Sequence, residues 1–96
     1  MKIHTPIAIL NVAAILATVL ATTATAAADS RTDQADALFR QGRAHAAAGR
    51  LAEACAAFDD SQQLAPATTT LFNQADCREK NRQLATASRL FAQAER

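Results

Sequence analysis

Isoleucine, valine and methionine are missing from residues 29–96 of this 96-residue chain, because all of them lie in residues 1–28. β-strands favour β-branched and aromatic residues, and here only scattered threonines and four phenylalanines are available. Residues 29–96 are instead rich in Ala, Gln and Arg, which lose little conformational freedom on entering a helix. The sequence therefore predicts an all-α domain.

Glycine and histidine are equally scarce, which excludes several kinds of chemistry. The only glycines are Gly42 and Gly49, so a glycine-rich phosphate-binding loop is not possible. His45 is the one histidine after residue 28, which excludes a histidine-based metal cage. Asp59 and Asp60 are adjacent on a predicted helix, where neighbours point about 100° apart and do not converge on one substrate. We therefore predict that the protein is not an enzyme and holds no metal or cofactor.

Positive and negative charges are balanced after residue 28. Removing Lys2 from the ten basic residues leaves nine basic residues against nine acidic ones. There is no basic stripe to neutralise phosphates and no set of interleaved aromatic residues to stack on bases. The sequence excludes nucleic acid as a partner, and it contains no sign of a small-molecule substrate.

Residues 1–28 differ from the rest of the chain. Lys2 is the only formal charge there, and an apolar run from Ile7 to Ala21 is followed by small residues. That order is typical of a secretory signal peptide, and we expect cleavage after Ala26 or Ala28. The alternative is a retained membrane anchor, because the apolar run and the Thr/Ala stretch after it are just long enough to span a bilayer.

Cys55 and Cys77 are the only cysteines. In an exported chain they indicate one disulfide, because the compartment is oxidising and a small domain benefits from a covalent link. They are too far apart for a C-x-x-C redox pair and lack the further ligands of a zinc site. Two alternatives remain open: a pair of buried free thiols, and a thiol redox sensor or oxidoreductase with an exposed, low-pKa thiolate.

Two stretches of the chain resemble each other at an offset of 33 residues. Leu38-Phe39 returns as Leu71-Phe72, Gln41 as Gln74, Leu51 as Leu84, Ala54 as Ala87 and Phe58 as Phe91. Repetition at this period is typical of stacked helical hairpins, in which each unit cannot cover its own apolar face. The chain is therefore predicted to be a binding scaffold.

Apolar spacing and helix-stop residues predict four helices in one domain from residue 29 to residue 96. The first is expected from about Thr32 to Ala48, ending at Gly49, and the second from Leu51 to a stop at Pro66. Thr68, Thr69 and Thr70 are N-cap candidates for a third helix that ends near Asn81-Arg82, and a fourth begins near Leu84. These make two antiparallel hairpins, repeats of about residues 35–67 and 68–96.

The first hairpin resembles the tetratricopeptide repeat, whose pattern is W-x2-L-G-x2-Y, then A-x3-F, then P. Gly42, Ala54-x3-Phe58 and Pro66 match it in register. Leu38, Gln41 and His45 depart from it, standing where Trp, Leu and Tyr are usual. In the second unit Leu71, Ala75 and Ala87-x3-Phe91 match, whereas Gln74 and Arg78 depart. The predicted repeat core is Leu38, Gly42, Leu51, Ala54, Phe58, Leu71, Ala75, Leu84, Ala87 and Phe91.

A narrower likeness involves the cysteines. The segments from Glu53 to Pro66 and from Leu71 to Lys80 resemble a group of exported bacterial tetratricopeptide proteins with one Cys in each of two adjacent repeats. The resemblance implies that Cys55 on the second helix meets Cys77 on the third, and that the protein is periplasmic or, if the leader is retained, anchored in the inner membrane. It also leaves open that this chain is a fragment of a longer repeat protein.

The same resemblance implies a non-catalytic module that binds a protein or peptide along the first helix of each hairpin. The candidate contact residues are polar and not required for packing: Gln41, His45, Asn73, Gln74 and Arg78. The last helix leaves Leu90 and Phe91 without a cover, so we also expect self-association or docking on a partner through it.

Overall fold

A computed structural model describes the backbone of residues 4–96 and the side chains of residues 23–96. The chain divides into two compact units, residues 1–30 and residues 31–96. Most of the predicted signal peptide falls outside the residues with described side chains. Export of the protein and cleavage of residues 1–28 therefore stay predictions. Within the part of the chain that has described side chains, no helix is long and apolar enough to cross a membrane.

Residues 4–96 form four helices and no strand: α1 (His4–Ala47), α2 (Leu51–Leu64), α3 (Thr68–Lys80) and α4 (Leu84–Glu95). The predicted all-α class is confirmed. The predicted start of the first helix near Thr32 is wrong, because α1 continues through that point without a break. Residues 21–31 are mainly Ala and Thr with no Gly or Pro, so nothing in them ends a helix.

Both hairpins turn with the same backbone geometry. After α1, Gly49 has a φ of +77°, and the Arg50 N–H donates to the His45 carbonyl at 2.9 Å. After α3, Arg82 has a φ of +62°, and the next N–H donates to the Arg78 carbonyl at 2.8 Å. This is the Schellman arrangement, which satisfies carbonyls left free at a helix end. Gly49 and Arg82 are 33 residues apart, so the turn repeats with the sequence.

α3 begins differently from the prediction. The three threonines lie inside its first turn, and the residue at the N-cap position is Ala67, which makes no side-chain cap. The Ala67 N–H instead donates to Oε1 of Gln62 on α2 at 3.0 Å, so a neighbouring helix satisfies a free donor of α3. Pro66 follows the end of α2 at Leu64, as predicted.

The core of residues 31–96 is a cluster of Ala54, Cys55, Phe58 and Cys77, against which Phe39 and Ala46 pack. Phe58 is only 2% exposed. Gly42 lies directly over its ring: a Cβ at residue 42 would approach the ring to 2.7 Å. The absence of a side chain at residue 42 therefore allows α1 and α2 to approach closely.

A second contact also holds α1 against α2. The Ser61 hydroxyl on α2 donates to the buried carbonyl oxygen of Ala35 on α1 at 2.8 Å. The bond joins residues 26 positions apart, so it fixes the register of the two helices. It also satisfies a polar group that would be costly to bury alone.

The aromatic pairs show that the duplication extends to packing. Phe39 and Phe58 have ring centroids 5.6 Å apart, and the pair 33 residues later, Phe72 and Phe91, has centroids 6.4 Å apart. Both pairs are tilted, at 59° and 50°. The second pair is less covered, because Phe91 is half-buried.

The residues predicted to form the repeat core are buried or half-buried, with one exception. The buried members are Gly42, Ala54, Phe58, Ala75 and Ala87, and the half-buried ones are Leu38, Leu51, Leu71 and Phe91. Leu84 was predicted to be in the core, but it is 64% exposed. The equivalent residue of the first hairpin, Leu51, is half-buried and lines a cavity with residues of α3, whereas no element among the described residues packs on that side of α4.

Candidate binding site

A disulfide joins the two hairpins. Cys55 on α2 and Cys77 on α3 are bonded, with their Cα atoms 5.6 Å apart, and they are 0% and 3% exposed. Both cysteines of the chain are used, so no free thiol remains. The predicted pairing is present, and of the three readings of these residues the structure contains the disulfide.

Two of the residues predicted to contact a partner, Gln74 and Arg78, instead form a polar network with Asp59 of α2. Nε2 of Gln74 donates to Oδ1 of Asp59 at 2.9 Å, and the Arg78 guanidinium forms an ion pair with the other oxygen of the same carboxylate. Gln74 is only 7% exposed. These two α3 residues therefore lie between α2 and α3 instead of on an open surface, which corrects their predicted placement.

The remaining predicted contact residues are also scattered. Gln41 is exposed on α1, and half-buried His45 accepts a hydrogen bond at Nδ1 from Nε of Arg50 at 3.1 Å. Asn73 donates to the carbonyl of Thr69, one turn earlier on α3, at 2.9 Å. Of the five predicted residues, Asn73 alone lines the groove described next.

That groove runs between α1 and α3 and contains two cavities. On α1 its lining residues are spaced three or four apart: Thr32, Asp36, Phe39, Arg43 and Ala46. On α3 they have the same spacing: Thr69, Asn73, Asp76 and Lys80. Residues three and four apart lie on one face of a helix, so each helix presents a continuous stripe to the groove.

The first cavity has a volume of about 450 Å³ and is mostly apolar. Phe39 and Ala35 of α1 line one side, and the segment Ala65–Ala67 that links α2 to α3 lines the other. Asp36 is the one charged residue in the lining. A cavity of this size and character accommodates an apolar side chain of a bound segment.

The second cavity, of about 270 Å³, carries more charge. Arg43, Asp76 and Lys80 line it together with Asn73. Nζ of Lys80 lies 2.9 Å from the Asp76 carboxylate, and the hydrogen bond and charge of Asp76 raise the pKa of the Lys80 ammonium above its usual value. Arg43 has no ion-pair partner among the side chains of residues 23–96, so its charge is available to a ligand.

The groove therefore offers shape and charge rather than reactive groups. Among the described residues no group of three or more His, Cys, Asp or Glu is placed to hold a metal ion. The charged groups of the groove are the Asp36 carboxylate at one end and Arg43 with the Lys80–Asp76 ion pair at the other. Sequence reasoning missed most of these residues because it selected departures from the repeat pattern instead of the residues on the stripe that faces the next hairpin.

Comparison with known proteins agrees with this architecture. Residues 35–68 match the sequence model of the family described as Tetratricopeptide repeat. Searches of curated proteins and of solved structures found no significant match. The matched segment runs from Ala35 to Thr68, so it comprises the last part of α1, all of α2 and the link to α3. Residues 35–68 are therefore similar to a tetratricopeptide repeat, and the four-helix, two-hairpin fold around them agrees with that similarity.

Proposed function

We propose that this protein is an exported, non-catalytic module that binds a segment of another protein in the groove between α1 and α3. Tetratricopeptide repeats typically mediate protein–protein interactions. The observation that carries the proposal is the pair of facing stripes, which leave an apolar cavity at one end and the free charge of Arg43 at the other. We infer a ligand with an apolar side chain and an acidic group a few residues apart.

Selection of peptides from a displayed random library on the full chain tests this function. We expect enriched peptides to combine an acidic residue with a large apolar one. Arg43→Glu should weaken their binding by tenfold or more, about 1.4 kcal/mol, because it places a like charge opposite the acidic group. The measurement is fluorescence anisotropy of the labelled peptides.

Arg89→Glu is the matched control for this variant. Arg89 is exposed on α4 and lines neither cavity. The Arg89→Glu substitution changes the net charge by the same amount but away from the groove. Peptide affinity should therefore stay within a factor of about two. A library that yields no enriched peptide, or peptides that lose affinity equally with both variants, would contradict binding in the groove.

Export is the second part of the proposal. It is supported by the basic start, the apolar run and the small residues of residues 1–28, and by the disulfide, a bond typical of oxidising compartments. Mass spectrometry of the chain recovered from a bacterial host should find a new N-terminus at Ala27 or Asp29 in the periplasmic fraction. An intact Met1 in the cytoplasm would rule out export, and an intact Met1 in the membrane fraction would identify residues 1–28 as an anchor.

A further inference from the structure

The outer side of the second hairpin is an open surface on α4 and the end of α3. We call it the end face, and its residues are Glu79, Leu84, Ala87, Ser88, Phe91, Ala92 and Glu95. Leu84 is the most exposed large hydrophobic side chain of residues 23–96. An open surface with a half-buried phenylalanine and an exposed leucine at its centre is a candidate docking site.

Every residue of the end face has a counterpart 33 positions earlier on the surface that binds α3. The counterparts are Ala46, Leu51, Ala54, Cys55, Phe58, Asp59 and Gln62. Cys55 is bonded to α3 by the disulfide, Asp59 holds Gln74 and Arg78, and Gln62 accepts the N–H of Ala67 at the start of α3. The end face therefore repeats a surface on which this chain already docks a helix.

The same offset identifies a helix that suits the end face. α3 meets α2 through Thr70, Gln74, Cys77 and Arg78. Their counterparts on α1 are Ala37, Gln41, Ala44 and His45, which we call the front face. All four are exposed or half-buried, and the two alanines allow a close approach.

Charge also favours this pairing of faces. Asp76 of α3 and Ala46 of α1 line one cavity where the second hairpin docks on the first. The counterpart of Ala46 on the end face is Glu79, and the counterpart of Asp76 beside the front face is Arg43. Docking in the same geometry brings the exposed Arg43 to the exposed Glu79 carboxylate, with Arg40 three residues earlier on the same helix.

We propose that a second copy of this chain occupies the end face, docking its front face there as α3 docks on the first hairpin. The two faces differ, so the contact is head-to-tail and continues from copy to copy. Ala92 stands where Asp59 stands in the first hairpin, and Ser88 where Cys55 stands. The contact therefore lacks both the ion pair and the disulfide, and it is reversible. It does not depend on a ligand in the groove.

Site-directed cross-linking of full-length chains tests the geometry directly. Residues 88 and 44 are the counterparts of Cys55 and Cys77, so their Cα atoms should approach to a distance that a disulfide spans. A chain with Ser88→Cys is mixed with a chain with Ala44→Cys under oxidised glutathione, which takes up the two electrons of the new bond. We expect a covalent heterodimer on a non-reducing gel, at least about tenfold more abundant than in the control mixture.

The control mixture pairs Ala44→Cys with Ala85→Cys, a neighbouring exposed position on α4 outside the end face. Leu84→Asp added to the Ser88→Cys chain should abolish the cross-link, with unchanged helicity as proof of folding. The native disulfide is buried and does not exchange with the new thiols.

Three results would overturn the proposal: no cross-link, equal cross-linking in the control mixture, or Ser88→Cys homodimers that form as fast as the heterodimer. The last would indicate a symmetric contact of two end faces. Peptide affinity in the groove is measured separately on the same chains, so failure of this proposal and failure of the proposed function are distinguishable.

Discussion

Phe58→Ala is expected to lower the free energy of unfolding by about 3–5 kcal/mol, the range for a large aromatic side chain removed from a core. Phe58 is almost fully buried, fills the space under Gly42 and packs on the ring of Phe39. The substitution leaves a cavity next to Gly42. Because Gly42 has no side chain that could move into it, the cavity stays open. Urea denaturation followed by circular dichroism measures the change.

Phe91→Ala is the matched control, because the duplication places it in the equivalent position. Phe91 is half-buried and has the same kind of tilted aromatic partner, Phe72. We expect a smaller loss, roughly 1–2 kcal/mol, in proportion to the smaller area removed from water. If Phe58→Ala does not fold, Phe58→Leu and Phe91→Leu provide the same comparison with a smaller loss of stability. Equal losses in the two positions would contradict the placement of the core in the first hairpin.

Reduction of the disulfide is expected to destabilise residues 31–96 by about 3 kcal/mol in the chain-entropy account of cross-links. The link joins residues 22 apart in sequence, so its loss frees a substantial loop in the unfolded chain. This is a large share of the stability of a domain of this size. Urea denaturation with and without a reductant should show the difference. Cys55→Ala combined with Cys77→Ala should be insensitive to the reductant.

Alkylation of the unreduced, folded protein separates a structural link from a redox function. Both sulfur-bearing residues are buried and bonded, so we expect labelling only after reduction and unfolding together. Rapid labelling of the native protein without a reductant would indicate a thiol sensor, and it would contradict the disulfide as a permanent link between the hairpins.

Local signals were sufficient for much of the fold. Gly49 and Pro66 end helices by their own backbone preferences, and the 33-residue offset depends only on side-chain identity. The contact of Gly42 with Phe58 could also be predicted, because the family pattern carries both residues in register. These features are encoded within a turn or a repeat.

Features that depend on contacts between distant residues were not predicted. Gln74 and Arg78 were predicted to lie on an open surface, but both bind the carboxylate of Asp59 on a different helix and therefore lie in the interface. At the start of α3 the Ala67 N–H donates to Oε1 of Gln62, whereas local capping rules favour a threonine at the N-cap position. The groove residues could have been found by reading each helix as stripes three and four apart, and by asking which stripe faces the neighbouring hairpin.

Arg82 adopts a left-handed backbone conformation that glycine adopts more readily. A side chain with a Cβ in that region costs roughly 1 kcal/mol relative to glycine, yet the hydrogen bonds at Arg82 match those at Gly49 almost atom for atom. The surroundings of α3 and α4 must therefore impose the turn on residue 82, whereas residue 49 adopts it unaided. The 33-residue period is therefore kept in the backbone at a position where the amino acid itself is not repeated.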